Sequence, residues 1–133
     1  MSEQNVEFVK GVYGAFARGD VPTVMAAFAD DIEWYEAEGL PYGGLHRGGE
    51  AVAQKVFGPI SEDVEGFAIT PEELIGSGAT VAAVVRYTGT GKALDVPVVH
   101  VWDIRDGKLA RFWQFIDTVK FAEVVPAAVS TAA

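Results

Sequence analysis

The first thirty residues show the helical spacing of apolar side chains. Between residues 3 and 18 an apolar side chain recurs every three or four positions, with charged side chains elsewhere, which predicts an amphipathic helix. Gly19 ends this helix, and Asp20 caps a second one that tolerates Pro22 in its first turn. The two helices are therefore expected to form a hairpin.

The apolar period changes from helical to alternating after Asp30. Ile32, Trp34 and Glu36 fall on one face of a short predicted strand, which directs the Glu36 carboxyl toward apolar neighbours. A carboxyl in an apolar cavity has a raised pKa and suits a general base acting next to a carbonyl. The alternative is that the strand ends before Glu36, whose side chain is then solvated in the following loop.

The middle of the chain is predicted to form a loop, a short helix and then strands. Residues 37–49 contain five Gly and one Pro, which predicts a loop, and residues 50–57 predict a short helix that Gly58-Pro59 stops. Four strand-like runs follow, at 64–75, 79–90, 94–105 and 108–117. Helices followed by an antiparallel meander predict an α+β domain with helices covering one face of a curved sheet.

We expect a single domain over residues 1–125. The small-residue tail, 126–133, is predicted to be frayed.

His100 is the second candidate reactive group. Alternation on the strand 94–105 places it on the inward face with Trp102, where desolvation disfavours the imidazolium and keeps the ring neutral near pH 7. The alternative is a core histidine satisfied by a backbone carbonyl. Two inward ionisable groups on separate elements, Glu36 and His100, indicate a pocket capable of acid–base chemistry.

The orientation of the last strand depends on the turn at Asp106-Gly107. A simple two-residue turn places His100 opposite Trp113. A β-bulge reverses the strand's faces and brings to the side of His100 the residues Phe112, Gln114 and Ile116. Asp117, at the end of this strand, is either a reactive acid or a cap or salt-bridge partner.

Composition excludes several classes of function. The 133 residues include no Cys and only two His, so thiol chemistry has no support and a metal cofactor is not expected. A net charge of −9 repels phosphate backbones and anionic lipid heads, which argues against nucleic-acid and membrane partners. The chain lacks a long apolar run and a secretory-type start, so a cytoplasmic location is expected.

Several motifs in this order carry a resemblance that covers nearly the whole chain. They are Ala-Arg-Gly-Asp at 17–20, Phe-Ala-Asp-Asp-Ile-Glu-Trp at 28–34, Arg47-Gly48, His-Val-Trp-Asp-Ile-Arg-Asp-Gly-Lys-Leu at 100–109 and Arg-Phe-Trp-Gln-Phe-Ile-Asp-Thr at 111–118. The chain resembles the SnoaL-like branch of the nuclear transport factor 2-like superfamily. The resemblance implies a cone of three N-terminal helices on a strongly bent antiparallel sheet that encloses a pocket. Its relatives include ketosteroid isomerases, polyketide cyclases, limonene epoxide hydrolases, dehydratases and non-catalytic binding domains.

The resemblance to ketosteroid isomerases implies roles for two residues. It places Glu36 at the catalytic base and His100 at the acidic donor to the oxyanion. The isomerase's oxyanion tyrosine has no match, because its position falls on Val12 with Tyr13 one step away. In SnoaL-type cyclases an acid near the end of the last strand is an acid–base catalyst, and Asp117 is its nearest match.

The resemblance to epoxide hydrolases excludes that chemistry. Val81, Ala83 and Gln114 occupy the positions of that family's Arg-Asp-Asp set, which activates water. The resemblances to ketosteroid isomerases and to epoxide hydrolases both favour the bulged register, in which Phe112 and Ile116 face the cavity with Gln114.

We therefore expect an enzyme without cofactor, of isomerase or cyclase type, that acts on a small hydrophobic carbonyl compound. Glu36 is the base, His100 donates to the developing enolate, and Gln114 orients a polar substituent. The hydrocarbon is held by Trp34, Trp102, Phe112 and Ile116. The alternative is a module of the same fold that binds a small molecule or dimerises without chemistry.

An apolar strip on the outer face of the sheet predicts self-association. In the bulged register Val99, Val101, Trp113 and Phe115 lie outside the cone, and a two-fold partner is the usual way to bury such a strip. A homodimer through the convex sheet face is expected. The alternative is a monomer in which residues 121–125 fold back over the aromatic side chains.

Overall fold

A computed structural model describes residues 2–91 and 94–126. All of the predicted tail except Pro126 lies outside the described residues. In chain order the elements are α1 (Ser2–Ala17), α2 (Val21–Ala27), β1 (Phe28–Glu36), β2 (Gly44–Arg47), α3 (Gly49–Val52), a π turn (Ala53–Phe57), α4 (Gly58–Asp63), β3 (Ala68–Ser77), β4 (Thr80–Thr88), β5 (Asp95–Arg105), β6 (Lys108–Ile116) and α5 (Thr118–Ala122).

The six strands form one sheet in the order β2-β1-β6-β5-β4-β3. The sheet curls without closing, and the N-terminal helices pack on its concave side, which confirms the α+β cone. Neighbouring strands are antiparallel except at one place, where β1 runs parallel to β6. The sheet is therefore mixed rather than antiparallel throughout, because the first strand joins it beside the last.

Local signals set the helical hairpin as the sequence predicted. Gly19 takes a positive φ of 72° at the end of α1, which favours glycine. The Asp20 carboxylate then accepts a hydrogen bond from the Thr23 backbone N–H at 3.2 Å and caps α2. The short connection keeps α1 and α2 packed against each other on the concave side of the sheet.

The third helix does not stop at Gly58-Pro59, so the prediction of its end was wrong. The chain widens into a π turn in which the Gly58 N–H bonds back to the Ala53 carbonyl, and α4 then begins with Pro59 in its first turn. A proline inside an α-helix clashes with the carbonyl four residues earlier, whereas the first turn tolerates it. The π turn therefore lets one helical segment continue through the proline.

One strand was not predicted, and another begins later than predicted. The loop 37–49 contains β2, which pairs with β1 from Glu33 to Glu36. The strand predicted from residue 64 begins only at Ala68, because the Val64 N–H still bonds to the Ile60 carbonyl at the end of α4.

The β5–β6 hairpin has the bulged register. Asp106 and Gly107 both have positive φ, 52° and 74°, which is the two-residue turn that suits the strand twist. The register then shifts, so that Ala110 has no partner on β5 and His100 pairs with Gln114. The even-numbered residues of β6 from 112 onward consequently share the concave side with His100.

No helix within residues 2–91 and 94–126 is long and apolar enough to cross a membrane.

Candidate active site

A small cavity lies between the helices and the concave face of the sheet. It measures about 40 Å³, and its polar lining groups belong to Tyr13, Glu36, Tyr87 and His100. Most of its other lining side chains are aliphatic or aromatic. Such a space holds a few water molecules and is far below the size of a typical ligand pocket.

A groove of about 420 Å³ adjoins this cavity. Four side chains line both spaces: Phe16, Val24, Phe57 and Phe67. Phe57 comes from the π turn and contacts Phe16 and Trp34 edge to face at 5.5 Å between ring centroids. The groove and the cavity therefore adjoin at these four side chains, three of them aromatic, which we call the partition.

Glu36 is the last residue of β1, and its side chain points into the cavity. It is 3% exposed, and Trp34 Nε1 donates to its Oε1 at 2.8 Å. Burial raises the pKa of Glu36 from 4.5 to about 7, against the hydrogen bonds from Trp34 and Gln114 that lower it. The alternative of a carboxylate solvated in the loop is wrong, and the group is poised to exchange a proton near neutral pH.

His100 is buried in the middle of β5 with both ring nitrogens occupied. Its Nδ1 lies 2.6 Å from the Tyr13 hydroxyl, and its Nε2 lies 2.6 Å from the Tyr87 hydroxyl. Desolvation lowers the pKa of His100 to about 3, so the ring is neutral. The alternative of a backbone carbonyl partner is wrong. The structure also leaves no ring nitrogen of His100 free to donate directly to a ligand.

The polar groups of the site form one continuous chain of hydrogen bonds. Trp102 Nε1 donates to the Tyr13 hydroxyl at 2.9 Å, and Gln114 Nε2 donates to the Tyr87 hydroxyl at 3.0 Å. Gln114 also contacts Glu36, so the connection extends to the candidate base. In order, the chain runs through Trp102, Tyr13, His100, Tyr87, Gln114, Glu36 and Trp34.

The predicted binding residues fall into two groups. Trp34 and Trp102 line the cavity. Phe112 packs behind them, with its ring 3.7 Å from that of Trp34, while Gln114 acts through its hydrogen bonds. Ile116 packs against the core from the far end of β6. These last three residues thus support the cavity wall without lining it.

Asp117 is not brought into the cavity. Its exposed carboxylate accepts a hydrogen bond from the Lys120 backbone N–H at 3.0 Å and caps α5. The structure therefore gives it the capping position that the sequence left open as one of two alternatives.

The sequence pattern did not predict the two tyrosines that hold His100. Tyr13 lies in the apolar stripe of α1, and Tyr87 alternates with Val85 on the buried face of β4. The available signal is that a buried tyrosine hydroxyl needs a hydrogen-bond partner. In the described residues no cluster of three or more His, Asp or Glu side chains is arranged to hold a metal ion.

Comparison with known proteins identifies the family. A sequence model described as the SnoaL-like domain matches residues 9–112. The chain belongs to the SnoaL-like family. No curated protein matches it.

Solved structures similar to this SnoaL-like chain share its whole architecture. An NTF2-like protein from Burkholderia thailandensis E264 is 34% identical, with a TM-score of 0.86 over 93% of this chain and 97% of that one. TerC, co-crystallised with polyporic acid, is 26% identical, with a TM-score of 0.83 over 92% and 98%. A candidate polyketide cyclase from Sinorhizobium meliloti is 18% identical over 82% and 94%, and its TM-score of 0.71 shows the fold alone.

Proposed function

We propose that this SnoaL-like protein is a cofactor-independent acid–base enzyme of isomerase or cyclase type that acts on a small hydrophobic carbonyl compound. The observation that carries the proposal is a buried carboxyl with a pKa of about 7, Glu36, in the same cavity as two tyrosine hydroxyls held by His100. A base matched to neutral pH beside hydrogen-bond donors is the arrangement that enolisation requires.

In the proposed reaction the Glu36 carboxylate removes a proton from the carbon next to the substrate carbonyl. The C–H electron pair forms a C=C bond, and the carbonyl oxygen becomes an enolate. A tyrosine hydroxyl donates a hydrogen bond to this oxygen, so His100 supports the donor rather than donating itself. Glu36 then returns the proton to another carbon. In a cyclisation the enolate carbon instead attacks a second carbonyl carbon, and the oxygen of that carbonyl takes the proton from Glu36.

The two adjoining spaces suggest how such a compound is held. The cavity of about 40 Å³ admits only the reacting end, while the apolar groove of about 420 Å³ accommodates a hydrocarbon body. A substrate that occupies both spaces therefore has to displace part of the partition. Polyporic acid, the compound co-crystallised with TerC, is the first ligand to test.

Proton exchange tests the proposal whatever the reaction product is. In D₂O the protein is expected to accelerate deuterium incorporation next to the carbonyl of a responsive ketone, followed by NMR over a panel of steroid, terpenoid and polyketide-like ketones. Glu36→Gln should remove this exchange while retaining the fold, because the amide cannot accept the proton. Glu38→Gln changes an exposed carboxylate two residues away and should retain full exchange. Full exchange in Glu36→Gln would remove the assignment.

The second candidate function is a module that binds a small molecule without chemistry. The observation that favours it is the small size of the cavity, whose hydrogen-bonding groups already contact one another. This function gives ligand-induced stabilisation with no deuterium exchange for any ketone of the panel.

We also propose a homodimer through the convex sheet face. Phe115 is 58% exposed there, and Trp113 beside it is only half-buried. In the alternative, a monomer, residues 121–125 would cover these aromatic side chains. Phe121 in α5 is instead buried against Tyr42, and Phe115 stays exposed.

A further inference from the structure

The hydrogen bonds at the two ends of the Tyr13–His100–Tyr87 unit have fixed directions. The indole N–H of Trp102 can only donate, so the Tyr13 oxygen accepts at that end. At the other end Gln114 Oε1 accepts from the Ala37 backbone N–H at 3.0 Å. This contact orients the amide so that its Nε2 donates to Tyr87. Each tyrosine oxygen therefore already accepts one hydrogen bond from outside the unit.

The two hydroxyls and the neutral ring carry three protons, but only two hydrogen bonds join them. A neutral imidazole has one N–H and one lone pair. If Nδ1 carries the proton, it donates to Tyr13, and Tyr87 donates to Nε2. If Nε2 carries the proton, it donates to Tyr87, and Tyr13 donates to Nδ1. In each tautomer one tyrosine accepts two hydrogen bonds, and its own proton has no acceptor among the described residues that contact the hydroxyl.

In either tautomer the surplus proton belongs to a tyrosine that lines the cavity, since Tyr13 and Tyr87 both line it. We propose that His100 is a tautomeric switch that presents this hydroxyl proton on either Tyr13 or Tyr87, so that the cavity binds a carbonyl, enolate or phenolate oxygen at either of two positions. Tyr13 and Tyr87 touch the ligand, and His100 is a positioning residue. A hydroxyl that accepts two hydrogen bonds is polarised toward donating a strong third one.

The substrate class in this inference rests on the proposed function. The surplus proton does not, and it would be present in a binding module as well. It extends the proposed reaction in one respect. A substrate whose oxygen shifts position during turnover meets a donor at each position in turn. In this change of tautomer Tyr87 gives its proton to Nε2, Nδ1 gives its proton to Tyr13, and the substrate oxygen carries the surplus proton from Tyr13 to Tyr87, so the net charge is unchanged. Rearrangement of a dicarbonyl or hydroxycarbonyl compound is the class of reaction that uses such a pair.

Nitrogen-15 NMR of the His100 ring tests the switch directly. In Tyr13→Phe an Nδ1–H would lack an acceptor, and a buried N–H without an acceptor costs more than an unpaired lone pair. This variant is therefore expected to adopt the Nε2–H tautomer, and Tyr87→Phe the Nδ1–H tautomer. The same tautomer in both variants would overturn the proposal. Each variant removes one hydroxyl from a ring that otherwise stays in place.

Binding of 4-nitrophenol, followed by its absorbance, tests the ligand half of the inference. Each single variant keeps one surplus proton on the remaining tyrosine, so its Kd should stay within about threefold of the wild-type value. The double variant loses both donors and should bind about tenfold to a hundredfold more weakly, the range for a hydrogen bond to a charged oxygen. Additive losses, complete loss in one single variant, or no binding by the wild type would each contradict the proposal.

The outcome is separable from that of the proposed function. Absence of deuterium exchange with every ketone removes the enzyme, while opposite tautomers and non-additive binding of 4-nitrophenol retain the donor switch. If the double variant fails to fold, the tautomers of the two single variants still decide the question.

Discussion

Glu36 and His100 shift the stability of the protein in opposite directions as the pH changes. The pKa of Glu36 rises from 4.5 to about 7 on folding, so the native state binds the extra proton and stability falls between these values as pH rises. The pKa of His100 falls from 6.5 to about 3, so stability is lost as pH falls through that range. Between pH 4.5 and 6.5 the two contributions oppose each other.

The difference in stability between Glu36→Gln and the wild type should isolate the Glu36 contribution. The free energy of unfolding of this variant, minus that of the wild type, is expected to rise by up to about 1.4 kcal/mol per pH unit between pH 4.5 and 7. Urea unfolding at a series of pH values measures this difference, to which unchanged groups contribute equally in both proteins. Tyr42 and Tyr87, whose pKa values the Glu36 charge helps to raise, stay neutral throughout. A flat difference would show that Glu36 is not buried as a titrating acid.

At this scale the sequence located the two titratable groups but not their partners. The period of two on β1 and β5 is enough to turn Glu36 and His100 inward, because alternate side chains of a strand face the same side. The contact between Tyr13 and His100 joins residues 87 positions apart on a helix and a strand. This contact depends on how α1 packs across the sheet, so no local sequence pattern predicts it.

Among the elements, the sequence predicted the strands better than the irregular helix. The bulged hairpin came from the resemblance to known families, and the pairing of His100 with Gln114 confirms it. The π turn was missed because Gly58-Pro59 ordinarily ends a helix. π turns inside helices are frequent at functional sites, and this one carries Phe57 into the partition above the cavity.

Phe57→Ala should open the inner cavity to water. Removing the ring joins the spaces of about 40 and 420 Å³, and hydrogen exchange at the Trp34 indole N–H, which lies below Phe57, measures the access. We expect exchange on the order of tenfold faster than in the wild type, with a loss of about 2 kcal/mol of stability because Phe57 is partly buried.

Phe8→Ala provides the matched comparison, since Phe8 is also a partly buried phenylalanine but lies outside the cavity lining. It should lose similar stability and leave the exchange of the Trp34 indole much closer to that of the wild type. Equal acceleration in both variants would mean that water enters by general unfolding rather than past Phe57.

For the whole molecule, the convex sheet face combines an apolar centre with paired charges. Trp113 stacks on Tyr35 at 5.8 Å, and the Arg111 guanidinium lies 5.0 Å above the Trp113 ring. Arg111 also pairs with Glu33 at 3.4 Å, which neutralises part of this face. The chain as a whole carries −9, so two copies repel each other except where such local pairing and apolar area outweigh the repulsion.

Sedimentation at micromolar concentration should therefore show a dimer of the 14.2 kDa chain, and its dissociation constant should fall as salt screens the net charge. Phe115→Glu places a charge in the centre of the face and is expected to yield monomers that remain folded, because Phe115 is 58% exposed and contributes little to the core. Val21→Glu adds the same charge at a similarly exposed residue on the helical side and should leave the dimer intact. A monomeric wild type would contradict the dimer. Equal dissociation in both variants would show that the interface is not specifically the convex face.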